Sequence, residues 1–73
     1  MSRKSDNSIG KNLKRLRIER EYSLEKVSKL ADLSLNTVVK IESRINTNPT
    51  IETLQKLAMA LEVDLFDLIT DKK

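Results

Sequence analysis

Two serines, Ser23 and Ser34, each stand immediately before an apolar series of helical period, and the space between them limits what this chain can become. Serine favours the position before a helix because its hydroxyl accepts an orphan N–H of the first turn. After Ser23 come Leu24, Val27, Leu30 and Ala31, at i, i+3, i+6 and i+7; after Ser34 come Leu35, Val38 and Ile41, at i, i+3 and i+6. Each series turns one face of a short helix inward. Only Asp32 and Leu33 remain to connect them. So short a connection packs the two helices against each other across a sharp turn and leaves the second one projecting. Its other face carries Asn36, Thr37, Lys40 and Ser43, which are short hydrogen-bonding groups and one cation, without an acid.

The remaining segments read as three further helices. Ser8 is placed to cap a first helix from Ile9 to about Glu21, with Ile9, Leu13 and Leu16 as its buried stripe. Lys11, Lys14, Arg15 and Arg20 fall off that stripe into solvent, and Ile18 falls opposite it. Arg17 sits at its flank, close enough to the core side to seek an internal acid. Residues 44–50, RINTNPT, form a loop, because Pro49 drives Asn48 out of the helical region. Thr50 caps a fourth helix, in which Ile51, Leu54, Leu57, Ala58 and Leu61 mark the core side. Asp64 starts a short fifth helix with Leu65, Phe66, Leu68 and Ile69. Four apolar residues in five cannot all face one small core, so Leu65, Phe66 and Ile69 are candidates for a subunit interface, Phe66 above all. Residues 1–7 read as a flexible basic arm, 8–70 as one domain and 71–73 as a frayed tail. The expectation is an all-α, compact five-helix unit.

Composition closes off several classes of function. With 73 residues and neither cysteine nor histidine, the chain has no disulfide, no ordinary zinc ligand set and no Ser-His or Cys-His nucleophile. No paired constellation of carboxylates, lysines or hydroxyls suggests a pocket, so no catalytic residue, metal, cofactor or small-molecule ligand is expected, and the chain is read as a non-enzyme. The longest apolar run, Leu57 to Leu61, is far too short to span a bilayer, and no secretory h-region is visible; a cytoplasmic location is expected. Residues 1–20 hold seven Lys/Arg against two acids, whereas residues 51–73 hold three against five. A basic front and an acidic back suit a protein that presents one side to a polyanion.

These features converge on duplex DNA. In the major groove Asn36 can bridge an adenine edge and Lys40 can donate to guanine. Arg44, Asn46, Thr47 and Asn48 supply donors for phosphate. A competing reading is a protein-interaction module, antitoxin-like, that keeps the fold and reads DNA weakly or not at all; the apolar Leu24 and Leu35 at helix starts are its support.

The sequence resembles the Cro/cI-type (Xre-like) helix-turn-helix family of phage and bacterial repressors, over about Ile9 to Ile69. The resemblance rests on IGKNLKRLR in the first helix, on Val27, Ala31, Leu33, Val38 and Ile41 at the apolar positions of the motif, on Ile41–Glu42, and on NPT leading into ETLQKLAMALEVDLFDLI. It implies a lambda-repressor-like domain with the helix-turn-helix at helices 2–3, acting as a dimeric transcriptional repressor or controller. It further implies that residues 35–43 enter the major groove, with Ser34, Leu35, Asn36, Thr37 and Lys40 reading bases. Ser23 and Ser43 match phosphate-contacting positions, and Arg17 and Glu42 match a structural ion pair. Four positions depart from the family pattern: Leu24 replaces a common glutamine, Ser28 a small alanine, Asp32 the turn glycine, and Arg44 lies where a glycine usually follows the Ile-Glu pair.

Overall fold

Five helices run through residues 8–70, the part of the chain that the computed structural model describes: α1 (Ser8–Glu19), α2 (Leu24–Ala31), α3 (Leu35–Glu42), α4 (Ile51–Leu61) and α5 (Leu65–Ile69). The expected arm at 1–7 and tail at 71–73 lie outside the described residues. Three helix starts follow the chemistry of their caps. The hydroxyls of Ser23, Ser34 and Thr50 accept the backbone N–H groups of Lys26 (3.0 Å), Thr37 (3.1 Å) and Thr53 (3.1 Å). At α5, the N–H of Asp64 donates to the Asp67 carboxylate at 3.3 Å.

The ends of α1 to α4 share one device. Glu21, Asp32, Arg44 and Glu62 all take positive φ, between 58° and 67°, although none is glycine. The N–H of the next residue then reaches back to a carbonyl of the last turn: Tyr22 to Arg17, Leu33 to Ser28, Ile45 to Lys40 and Val63 to Ala58. This closure satisfies carbonyls that the helix leaves unpaired. It also corrects the expected end of α1, which stops at Glu19 because Glu21 has already turned left-handed.

α2 packs on α3 and α4, while α1 lies against α3, α4 and α5. Their shared core holds Leu13, Leu16, Val27, Ala31, Val38, Ile41, Leu57, Ala58, Ala60, Leu61 and Leu68. Three residues expected inside are exposed: Leu30 at 47%, Leu35 at 40% and Ile51 at 61%. Leu35 and Ile51 are the first residues of their helices and overhang the core edge. On α2 the buried face is Val27, Ser28 and Ala31, and Leu30 falls well round from its centre. Arg20, expected in solvent, is half-buried and donates to the Leu16 carbonyl at 3.1 Å.

Two polar or small residues of α1 decide how it docks. Asn12 is buried, and its Nδ2 donates to the carbonyls of Leu68 (2.9 Å) and Thr70 (2.7 Å), tying the end of α5 to α1. Gly10 is buried where α1 crosses the end of α3. A Cβ there would stand 2.7 Å from the Ile41 carbonyl oxygen, so only glycine permits the approach.

Candidate nucleic-acid interface

α3 is fixed from behind by an ion pair. The guanidinium of Arg17 grips the Glu42 carboxylate with two parallel bonds, Nε to Oε2 and Nη2 to Oε1 (3.1 Å). Its third donor, Nη1, bonds the Tyr22 carbonyl at 2.8 Å. One side chain therefore joins α1, the lead-in to α2 and the last turn of α3. Both partners are largely withdrawn from solvent, with side-chain exposures of 14% and 9%. The hydrogen bond to Glu42 and, to a lesser degree, its charge raise the Arg17 pKa against the opposing effect of burial. Arg17 is therefore a permanent cation, and Glu42 is an acid already answered from inside the chain.

The outward sector of α3 consists of two neighbouring rows. Leu35, Val39 and Ser43 succeed one another at four-residue spacing, and Asn36 and Lys40 form the row beside them. Asn36 and Lys40 are exposed, and neither side chain hydrogen-bonds to another described residue. The hydroxyls are differently placed. Ser34 and Thr37 bond each other at 2.8 Å within the cap, so one of their two hydroxyl protons is already committed. Ser43 Oγ donates back to the Val39 carbonyl at 2.7 Å. Ser23 Oγ only accepts, which leaves its proton free to donate outward.

Beyond α3 the chain runs through Arg44, Asn46, Thr47 and Asn48. Arg44, Thr47 and Asn48 are exposed, while Asn46 is half-buried and its Oδ1 accepts the Asn48 N–H at 3.0 Å. That bond shapes the turn into the buried Pro49. Sequence reasoning did not single out Val39 or Lys14. They line an open cleft of about 210 Å³ together with Leu24, Glu42 and Ser43, between α1, the start of α2 and the back half of α3. Val39 was legible in principle, being one turn beyond Leu35. The neighbourhood of Leu24 and Lys14 was not, because it depends on how three helices meet.

On α5, Phe66 is 66% exposed and Ile69 43%, whereas Leu65 is half-buried. Met59 (78%), Ile51 and Ile45 (73%) are exposed as well.

A short helix pair braced from behind, with a projecting second helix, defines a helix-turn-helix domain, and this chain belongs to the Helix-turn-helix family, of the Cro/cI (Xre-like) type, which it matches over residues 13–68. It is 33% identical over 64 residues to the HTH-type transcriptional regulator SinR of Bacillus licheniformis, covering 88% of this chain and 58% of that protein. It is 32% identical over 60 residues to the regulator SlrR of Bacillus subtilis, covering 82% of this chain and 40% of that one. The chain thus spans about half the length of the regulators it matches. The fold is that of the N-terminal DNA-binding domain of Bacillus subtilis SinR, with a TM-score of 0.86, 32% identity, and coverage of 90% of this chain and 96% of that one. It is also similar to the restriction-modification controller protein C.AhdI of Aeromonas hydrophila, with a TM-score of 0.81, 27% identity, and coverage of 86% and 94%.

Proposed function

We propose that this chain is a sequence-specific, double-stranded DNA-binding transcriptional regulator, a dimeric repressor or controller that inserts α3 into the major groove. The observation that carries this reading is the state of α3. It is braced by Arg17–Glu42, shows no unpaired acid outward, and holds Asn36 and Lys40 uncommitted. The regulators and controller to which the chain is similar support it, as does the concentration of Lys and Arg in residues 1–20.

Asn36 and Lys40 supply the hydrogen bonds to base edges, Leu35 the apolar contact, and Ser34 with Thr37 the one hydroxyl proton their cap leaves over. Ser23, Ser43, Arg44, Asn46, Thr47 and Asn48 lie along the phosphates. The second copy docks through α5, with Phe66 and Ile69 as anchors and Leu65 at the margin. Two copies of α3 then read half-sites roughly 34 Å apart, one helical turn. Such a regulator works on bacterial or phage DNA in the cytoplasm.

Selection of bound duplexes from a random pool, at two salt concentrations, tests the reading. The expected product is a two-fold-symmetric motif whose binding weakens steeply with added salt, because phosphate contacts release counterions. Asn36→Ala and Lys40→Ala should each relax preference at particular base pairs by about 1–3 kcal/mol. Recovery of no motif at either salt would reject specific reading in favour of a protein-interaction module.

A further inference from the structure

We propose that the apolar edge of the reading surface, formed by Leu24, Leu35 and Val39, is a sensor for the C5-methyl group of thymine, with Val39 as a specificity-determining residue. The proposal rests on the reading of α3 as the helix that enters the major groove. Leu35 and Val39 are one turn apart on one row of α3, and Val39 and Leu24 line the same open cleft, so the three form a strip from the start of α3 to the start of α2. Leu35 is 40% exposed, and Leu24 and Val39 are half-buried: their remaining apolar surface faces out of a core already closed behind them.

The strip lies within a surface suited to nucleic acid. Lys14 stands on the far wall of the cleft, Lys40 and Asn36 occupy the adjoining row of α3, and the single acid in the cleft, Glu42, is held by Arg17. Cations on both sides favour a polyanion over an apolar protein partner. In the major groove the one alkyl group that base edges present is the thymine methyl; the hydrogen-bonding features beside it are donors and acceptors. The hydroxyls nearby are mostly spent, since Ser43 bonds the Val39 carbonyl and Ser34 bonds Thr37. Discrimination on this edge therefore falls to methyl burial. One buried methyl corresponds to about a four-fold change in affinity.

The experiment takes a duplex from the random-pool selection and replaces each thymine in turn by deoxyuridine, which deletes the methyl and leaves the pairing and hydrogen-bonding edge unchanged. Affinity is read by fluorescence anisotropy with the full chain. The expected result is a loss of about four-fold at one or two positions in each half-site and none elsewhere. In Val39→Ala and Leu24→Ala the difference between thymine and uracil at those positions should shrink, while circular dichroism reports an intact fold. A specifically bound duplex that tolerates uracil at every position overturns the methyl sensor and leaves DNA reading standing. Failure to bind any duplex specifically overturns both. A loss on uracil substitution that persists unchanged in both variants removes Val39 and Leu24 from the role.

Discussion

Arg17 is the residue on which the placement of α3 depends most directly, because its three bonds join α1, the lead-in to α2 and the end of α3. Removing it leaves the largely buried Glu42 carboxylate without a partner, and breaking such a pair costs about 3–5 kcal/mol when burial is complete. With the partial exposure here, Arg17→Ala should lower stability by about 3 kcal/mol, read from the urea midpoint. The sign of its pH dependence follows from its raised pKa. A base stabilised in the folded state contributes fully below its unfolded pKa and is lost only as pH rises through the folded value, which here means strong alkali. The deficit of Arg17→Ala should therefore be constant between about pH 6 and pH 9. A second residue-scale prediction concerns Glu62, whose φ of 59° places an exposed side chain in the left-handed region. Glycine carries no penalty there, so Glu62→Gly should raise stability by about 0.5–1 kcal/mol in thermal unfolding, despite the added freedom of the unfolded chain.

Among the elements, α5 is the one least able to hold itself. It has five residues, and only Leu68 is fully buried. Asn12 supplies what the short helix lacks by donating to the Leu68 and Thr70 carbonyls at its end. Asn12→Ala leaves those acceptors without their donor, and should cost about 1–3 kcal/mol. Hydrogen exchange should locate the loss in α5 and the facing part of α1 and leave α2–α3 protected. Uniform loss of protection would show that α5 is no separate weak point. The sequence concealed this contact, since Asn12 lies on the inner face of α1 among Ile9, Leu13 and Leu16 and looks like an interruption of the stripe. A long-range side-chain-to-backbone bond leaves no periodic trace.

For the molecule as a whole, the proposed reading uses two separate surfaces: the braced α3 with the Lys14 cleft for DNA, and the exposed Phe66 and Ile69 of α5 for a second copy. If two copies meet at α5, Phe66→Lys should shift sedimentation toward the monomer at a given concentration and reduce DNA affinity in parallel, and it should remove any dependence of the thermal midpoint on protein concentration. A wild-type chain that sediments as a monomer both free and on DNA would reject this interface.

What the sequence determined by itself was local. The hydroxyls of Ser23, Ser34 and Thr50 cap the helices they precede, and the stripes through Leu13, Val38 and Leu57 are buried, because capping and amphipathic periodicity act within one or two turns. The Arg17–Glu42 pair could be foreseen through resemblance, since a flank arginine alone does not name its acid. Tertiary structure decided the rest. It left Leu30, Leu35 and Ile51 exposed, because the neighbouring helices cover neither that flank of α2 nor the first residues of α3 and α4. It required Gly10, because only the crossing of α1 over α3 brings the Ile41 carbonyl within 2.7 Å of where a Cβ would stand. It also brought Leu24, Val39 and Lys14 to one cleft. They come from three helices, and only the packing of the core sets the distances between them.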